Sequence, residues 1–288
     1  MTIFPICDFM INTYPDQPLL PEDQVRELFR EVQLAMSERF HPSLTELYFP
    51  NPAHPDVLEN GTGSFVDIEG TKFLVSNEHV ILRSGLEHSM FGCGVLLPVE
   101  PQRYTIPAPY DVGAAKVNNH TWGRYGHNAR SISLSQFAPK HEAVPSEILW
   151  RAGYPGARVR QYDRSVFAVC EAVPTQEYLF HDGTKPHEQF DSNVHFAVYY
   201  NPQTATHVFD DYVSRSPGLS LPPGLSGSLV WNTRRIECFH ANIPWSADHA
   251  VVTGIVWGWP NSDYLIATKV EHLREFLQEV AELPDAPI

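Results

Sequence analysis

Hydrophobic residues recur at helical spacing in two segments near the ends of the chain. The first, residues 21–40, carries an apolar stripe formed by Val25, Leu28, Phe29, Val32, Met36 and Phe40. The second, near residues 270–283, carries Val270, Leu273, Phe276, Leu277 and Val280. Both patterns predict amphipathic helices. We expect the first stripe to pack on the body of the protein rather than to face a partner, and the Pro-rich segment 42–55 to form a linker or an extended wrap.

Between these helices the spacing changes to the short apolar runs of β-strands. From Gly61 onward, SFVDI and TKFLVS flank Glu69-Gly70, which predicts a hairpin with a tight turn. Further runs are bounded by Gly, Pro, Asn or Asp, and they are GVLLPV, GAAKV, ILWRAGY, SVFAVCEAV, VHFAVYY, GSLVW, AVVTGIVW and YLIATKV. Many short strands joined by turns are typical of a mainly β sandwich or barrel. The chain shows no internal repeat.

The composition of the chain argues against nucleic acids and membranes as binding partners. The 288 residues carry 34 acidic and 20 basic side chains, a formal charge of -14, which weighs against nucleic-acid binding. The chain contains no run of about 18 apolar residues, so the sequence predicts no membrane span. Because the first residues lack a basic stretch and include Pro5 and Asp8, they do not resemble a secretory signal, and we expect a cytoplasmic location. The four cysteines form no CxxC pair, which favours reduced structural thiols, and they are Cys7, Cys93, Cys170 and Cys238.

One short stretch, GLSG, places Ser226 between two glycines immediately before a predicted strand. A serine hydroxyl becomes a strong nucleophile only when a base removes its proton and a carboxylate orients that base. His79 lies at the end of the second hairpin strand, and Asp111 directly precedes the run VGAAKV. Each of these residues alone is more often an ordinary turn or structural residue. Their order and their places at the ends of strands favour a catalytic hypothesis.

Five stretches together resemble those of trypsin-like (chymotrypsin-fold, PA clan) serine peptidases, especially the bacterial type related to the HtrA proteases. They are GTGSFVDIEGTKFLVSNEHVI, DVGAAKV, GYPG, GLSG and TGIVW. The resemblance implies a mainly β fold of two six-stranded antiparallel barrels. It implies a helical extension and linker over residues 1–57, a double barrel over 58–275 and a C-terminal helix and tail over 270–288. The first barrel would cover about 58–140 and the second about 145–275, with no PDZ domain after the peptidase.

The same resemblance implies roles for individual residues in peptide-bond hydrolysis. His79 would be the base, Asp111 would orient it, Ser226 would attack, and the backbone N–H groups of Gly224 and Ser226 would hold the oxyanion. The residues expected to border the substrate are Ser220, Gly254, Trp257, Gly258 and Trp259. A protein or peptide would be the substrate, a regulatory protein partner is conceivable, and no cofactor or metal is implied.

Four residues depart from the family pattern. Ser228 replaces a second glycine after the nucleophile, Glu78 replaces a small residue beside the histidine, and Gly113 replaces an apolar residue after the aspartate. Leu225 stands where digestive relatives have an aspartate that pairs with a new N-terminus made by cleavage. We therefore expect Leu225 to pack into the second barrel and the intact chain to be the working form.

Three alternative functions remain open at this point. An inactive trypsin-like fold could serve as a binding module. A metal-dependent hydrolase is suggested by a polar stretch containing His181, Asp182, His187, Glu188, Asp191 and His195, although it has no HExxH motif. An α/β-hydrolase is disfavoured, because GLSGS lacks the second glycine of GxSxG and only the later Asp263 and His272 suit that order.

Overall fold

The N-terminal helix follows the sequence prediction almost to the residue. The computed structural model describes residues 21–54, 57–162, 165–180, 186–202, 219–260 and 263–283. Helix α1 runs Glu22–Phe40, and Pro21 precedes it, where its missing N–H would have had no helical partner. The remaining helices are α2 Glu78–Ile81, α3 Asn119–Arg124, α4 Arg235–His240 and α5 Val270–Glu282. Within the described ranges, no helix has the length and apolar character needed to cross a bilayer.

The first sheet contains the predicted hairpin at its centre. Its strands are β1 Leu44–Pro50, β2 Leu58–Ile68, β3 Thr71–Ser76, β4 Glu87–His88, β5 Leu97–Pro98, β6 Arg103–Ile106, β7 Val112–Val117 and β8 Ile132–Ser133. Seven strands follow the antiparallel order β5-β4-β1-β2-β3-β7-β6, and β8 pairs with β2 in parallel. Glu69 and Gly70 both have positive φ, at 51° and 88°, as a tight hairpin turn requires.

The second sheet is built from the later part of the chain. The strands after residue 140 are β9 Leu149–Gly153, β10 Val159–Tyr162, β11 Ser165–Ala168, β12 Glu171–Thr175, β13 His195–Tyr199, β14 Leu229–Asn232, β15 Val251–Gly258 and β16 Tyr264–Lys269. Six of them form an antiparallel sheet in the order β12-β9-β14-β15-β16-β13, and β10 and β11 form a separate hairpin. Two curled antiparallel sheets with a helix at each end form a chymotrypsin-like double barrel, so the predicted fold is confirmed. This arrangement does not fit the α/β-hydrolase alternative, which needs a mainly parallel sheet.

Several local predictions need correction. The sequence predicts a linker or an extended wrap at 42–55, and residues 44–50 in fact form a strand of the first sheet, β1, which pairs with β2 over its whole length. Because prolines flank this strand, the sequence pattern did not predict it, although most of its residues are buried. The first sheet therefore begins before residue 58 and has more than the six strands expected. The run SVFAVCEAV, predicted as one strand, is divided between β11 and β12.

Three of the cysteines lie in the described ranges, and all three are free thiols: Cys93, Cys170 and Cys238. Burial raises the pKa of Cys170 to about 12, so this thiol stays protonated at neutral pH. These observations agree with the expectation of structural thiols. Cys7 lies outside the described residues.

Helix α1 packs directly on the barrels through its apolar stripe. Val32, Met36 and Phe40 are almost completely buried in one continuous cluster that also contains residues of both sheets and of α5. The ring of Phe40 stacks on that of Trp231 in β14, with centroids 3.9 Å apart. The expectation that this stripe packs on the body of the protein is confirmed. The helix therefore forms part of the core.

We expect Phe40→Ala to lower the free energy of unfolding by about 3–5 kcal/mol, because it removes a fully buried aromatic ring and leaves a cavity against Trp231. Urea denaturation followed by tryptophan fluorescence measures this change. Leu34→Ala is the matched control on the same helix, since Leu34 is 51% exposed. It should change the free energy by no more than about 0.5 kcal/mol. Similar effects of the two substitutions would contradict the packing of α1 described above.

Candidate active site

His79 and Asp111 are joined by two hydrogen bonds. His79 belongs to α2, which follows β3, and Asp111 directly precedes β7, which pairs with β3. The Nδ1 atom of His79 lies 2.6 Å from Oδ2 of Asp111, and the backbone N–H of His79 donates to Oδ1 at 3.1 Å. Because a carboxylate can only accept, Nδ1 carries the proton in this pair, and in the neutral ring Nε2 is left as an acceptor. The imidazole is 44% exposed, whereas the carboxylate is 12% exposed.

Two neighbouring residues allow this pair to form. The buried Asn77 donates from its side chain to the backbone carbonyl of Asp111 at 2.7 Å. At Gly113, a Cβ atom would lie 2.9 Å from the side chain of Ile81, so a larger residue would push β7 away from α2. The departure from the family pattern at Gly113 therefore has a packing reason: the glycine allows the strand carrying Asp111 to approach the helix carrying His79.

Two backbone N–H groups of the turn around Ser226 find no partner among the residues that the structure describes. Leu225 donates to Pro222, Gly227 donates to Val256, and Ser228 donates to Leu225. In the described part of the chain, the N–H groups of Gly224 and Ser226 have no acceptor. Gly224 and Gly227 have φ of +96° and +90°, a conformation that L side chains rarely adopt, so this turn depends on glycine. These two donors are the ones to which the family resemblance gives an oxyanion role.

Thr62 of β2 holds this turn against the first sheet. Its N–H donates to the carbonyl of Ser226 at 2.9 Å, and its hydroxyl donates to the carbonyl of Gly224 at 2.7 Å. The same hydroxyl accepts the N–H of Tyr154 at 2.9 Å. One threonine therefore connects the Ser226 turn, the GYPG turn and the first sheet.

The Ser226 turn also lies against the strand that leads to His79. A Cβ atom at Gly227 would lie 2.2 Å from the hydroxyl of Ser76, and Ser76 is three residues before His79. The Ser76 hydroxyl donates to the carbonyl of Thr62 at 2.7 Å. Among the described residues, no hydrogen bond joins Ser226 to His79. The two segments approach each other through this glycine contact.

Leu225 and Ser228, which depart from the family pattern, both find places in the second barrel. Leu225 is 1% exposed and packs in the apolar cluster of the second sheet, so this expectation is confirmed. The Ser228 hydroxyl is buried close to Gly153, where a Cβ atom would lie 2.2 Å away. The side chain of Ser228 fits here because Gly153 has no side chain.

Ser220 belongs to a buried ionic network. Its hydroxyl accepts a hydrogen bond from Nε of Arg158 at 2.7 Å, and its N–H donates to Glu171 at 2.9 Å. Glu171 also pairs with Arg151 at 3.3 Å, and both side chains are completely buried. Burial by itself raises the pKa of Glu171, but Arg151 and the hydrogen bonds from Ser220 outweigh this, so the pKa is lowered and the group stays charged. Ser220 is therefore fixed from two sides.

The four residues predicted on or after β15 have different surroundings. Gly254 is a packing position, because a Cβ atom there would lie 2.4 Å from Phe196. Trp257 packs near His195, with ring centroids 5.1 Å apart, and Trp259 packs on the cluster that contains Leu225. At Gly258 a Cβ atom would lie 4.0 Å from Cβ of Ile266, an ordinary van der Waals contact. The strand itself reaches the Ser226 turn, since Val256 exchanges hydrogen bonds with Gly227 and Ser228.

The polar stretch that suggests a metal site makes other contacts. Nε2 of His195 lies 2.7 Å from the carbonyl of Pro109, and Nδ1 accepts the N–H of Asp191. The ring nitrogen of His187 accepts the N–H of Gln189. His181 and Asp182 lie outside the described residues. No cluster of three or more potential metal ligands occurs within the described ranges.

Sequence reasoning overlooked Thr62, Asn77 and the pair His195 and Thr268 as supports of the site. Thr62 lies in GTGSFVDI, where alternation predicts a strand but cannot show what its hydroxyl contacts. Asn77 lies two residues before His79 and gave the one available signal of a support in the sequence, since Asn is favoured at the start of a helix. The other two lie more than 80 residues from Asp111 in sequence.

Comparisons with known proteins give similarity at the level of structure. No protein-family model matches the chain, and no curated protein matches it. An inactive mutant form of Rv3671c from M. tuberculosis H37Rv is 14% identical, with 88% of this chain and 95% of that chain covered and a TM-score of 0.46. The serine endoprotease from Yersinia pestis is 11% identical, with 86% and 66% covered and a TM-score of 0.48. The HtrA-type protease AlgW is 13% identical, with 87% and 64% covered and a TM-score of 0.48.

We expect Thr62→Val to loosen the link between the two sheets. The substitution leaves the Gly224 carbonyl and the Tyr154 N–H without their partner, and each buried group left unpaired costs about 1–3 kcal/mol of unfolding free energy. Hydrogen exchange should show faster exchange of the Tyr154 amide. Thr62→Ser keeps the hydroxyl and should preserve the protection. Unchanged Tyr154 exchange in the valine variant would contradict the role of this hydroxyl.

Proposed function

We propose that this protein is a serine endopeptidase that hydrolyses peptide bonds through His79, Asp111 and Ser226. One observation carries the proposal: the described residues contain an Asp-oriented histidine and a serine turn with two unused N–H donors at Gly224 and Ser226. Acyl transfer from a peptide requires a carboxylate that orients a base, and N–H donors that stabilise the oxyanion. The fold, which is that of trypsin-like peptidases, agrees with this assignment.

The proposed reaction begins with proton transfer. Nε2 of His79 accepts the proton of the Ser226 hydroxyl while Oγ bonds to the peptide carbonyl carbon. The negative charge that develops on the carbonyl oxygen is stabilised by the N–H groups of Gly224 and Ser226. When the C–N bond breaks, the imidazolium returns its proton to the leaving amine. Water then repeats the sequence, giving its proton to His79 and releasing the acid from Ser226.

Asp111 has a defined part in these steps. Its carboxylate keeps the proton of neutral His79 on Nδ1, so that Nε2 can accept, and it stabilises the imidazolium that forms. The second bond, from the His79 N–H, fixes the carboxylate relative to the same residue. Two bonds between one carboxylate and one histidine leave the acid little rotational freedom.

Ser226 and its neighbours would be set by packing rather than by an ion pair. Leu225 cannot accept a charge and is buried in the second barrel. We therefore infer that the intact chain, with α1 packed on the barrels, is the working form. A protein or peptide is the substrate. Any regulatory partner would act on a turn whose glycines already have the positive φ described above.

A second function, binding by an inactive trypsin-like fold, is favoured by one observation. Among the described residues no hydrogen bond joins Ser226 to His79. A catalytic pair is often longer in the free enzyme and shortens when substrate binds. The two functions differ in whether Ser226 reacts covalently, and this decides the experiment.

We expect a fluorophosphonate probe to modify Ser226, because His79 makes this hydroxyl strongly nucleophilic. Mass spectrometry of the labelled peptides locates the modified residue. Ser226→Ala should abolish labelling while the protein remains folded, and Ser135→Ala, on the exposed surface, should leave it unchanged. Labelling at a different serine would overturn the assignment, and a complete lack of labelling would favour the binding module.

We expect Asp111→Asn to slow the modification of Ser226 by several orders of magnitude, since the same change in a Ser-His-Asp triad lowers kcat on the order of 10⁴-fold. The amide can donate to Nδ1 and so favours the tautomer with the proton on Nε2, which cannot act as the base. The rate of labelling at fixed pH measures the effect. A loss of only a few-fold would remove Asp111 from the proposed triad.

A further inference from the structure

Two buried residues of the second sheet contact the loop that carries Asp111 in the first. His195 of β13 and Thr268 of β16 lie directly opposite each other in the antiparallel pair and are 1% and 0% exposed. Nε2 of His195 lies 2.7 Å from the carbonyl of Pro109. The hydroxyl of Thr268 donates to the carbonyl of Tyr110 at 2.7 Å. The pair therefore holds the two consecutive carbonyls that precede Asp111.

The direction of the His195 bond follows from its other nitrogen. Nδ1 accepts the N–H of Asp191 at 3.0 Å, so the proton of the neutral ring is on Nε2, and this atom donates to Pro109. Burial lowers the pKa of His195, which keeps the ring neutral and preserves this arrangement at neutral pH. His195 also packs against Phe190 and Trp257, which fix the plane of its ring.

The Thr268 bond acts on the backbone conformation of Asp111 itself. The carbonyl of Tyr110 belongs to the peptide unit whose nitrogen is that of Asp111, so its direction sets φ of Asp111. That φ is 48°, in the left-handed region that non-glycine residues adopt only when their surroundings hold them there. On the other side, Asn77 holds the carbonyl of Asp111. Both peptide units that flank Asp111 are therefore fixed by buried side chains.

We propose that the pair His195 and Thr268 positions Asp111 for its bond to His79, and that the second barrel in this way controls the geometry of the acid in the first. This inference rests on the proposed function for its kinetic consequence. The two residues touch neither substrate nor the reacting atoms, so they are positioning residues. The second barrel also carries Ser226, so one barrel would set both the nucleophile and the orientation of the group that activates its base.

A purely structural role, in which the pair only joins the barrels, makes a different prediction. Loss of such a contact would lower stability without a selective effect on the chemical step. A positioning role lowers kcat while KM stays nearly constant, because Asp111 acts only through His79 in the chemical step. The two roles are separated by comparing variants that lose equivalent hydrogen bonds in different places.

The decisive comparison uses three threonine variants of the full chain. Thr268→Val removes the hydroxyl, Thr268→Ser keeps it, and Thr175→Val removes a matched bond in the same sheet. Thr175 is also buried and also donates to a backbone carbonyl at 2.7 Å, that of Tyr199, which lies outside the Asp111 loop. We expect Thr268→Val to lower kcat, and the rate of fluorophosphonate labelling, by up to about 100-fold, the scale of a misplacement of about 1 Å. The other two variants should retain both rates.

A second measurement does not depend on activity. The proton of His79 Nδ1, held in a short bond to Asp111, gives its own resonance in the proton NMR spectrum, assigned by its loss in Asp111→Ala. Thr268→Val should shift or broaden this resonance, and Thr268→Ser and Thr175→Val should not. If Thr268→Val does not fold, His195→Phe, which removes the donor to Pro109, and His195→Gln, which retains a donor, give the same comparison.

The outcomes separate the two proposals. If the unmodified protein is not labelled at Ser226, the proposed function fails, and the NMR comparison still tests the positioning of Asp111. If the unmodified protein is labelled, but Thr268→Val matches Thr175→Val in rate and in the His79 resonance, the positioning role is overturned. A selective loss in Thr268→Val that Thr268→Ser restores supports it.

Discussion

The hydrogen bonds of Thr62 are the constraint on which the candidate site depends. A single residue of the first sheet fixes two carbonyls of the Ser226 turn and the start of the GYPG turn. Both turns belong to the second half of the chain, so these bonds tie the position of the serine directly to the sheet that leads to the histidine. The glycines of the turn make this approach possible, since a side chain at Gly227 would collide with Thr62 and Ser76. Close backbone contacts, rather than ion pairs, hold the two turns of the second half of the chain against the first sheet.

The two barrels constrain each other in both directions. Thr62 reaches from the first barrel to the serine turn of the second, whereas His195 and Thr268 reach from the second barrel to the aspartate loop of the first. Each barrel therefore presents a reactive group whose orientation is fixed partly by the other. Helix α1 adds apolar contact with both. A movement of one barrel relative to the other would disturb the serine and the aspartate together.

The sequence predicted the parts of this molecule that depend on local pattern. The hairpin at Glu69-Gly70, both long helices and most strands follow from periodicity and turn residues. The sequence did not predict strand β1 because prolines flank it. It did not predict the residues that support Asp111 because hydrogen bonds between residues far apart in sequence leave no local signal. His195 illustrates the limit: its place in a polar stretch suggests a metal ligand, whereas its neighbours in space show a hydrogen-bonded core residue.

The buried ionic network around Ser220 has an evolutionary consequence. Arg151 and Glu171 are both completely buried, and Arg158 also pairs with Glu171 at 3.4 Å. Removal of Glu171 would leave the buried charge of Arg151 uncompensated, whereas removal of Arg151 would leave Glu171 paired with Arg158. Because Ser220 bonds to Glu171 and Arg158, a change at this position passes into the same network. Such sites are epistatic: the effect of one substitution depends on the residues already present at the others. Divergence here would proceed by paired replacements, and single-residue comparisons between relatives would misjudge which residues are interchangeable.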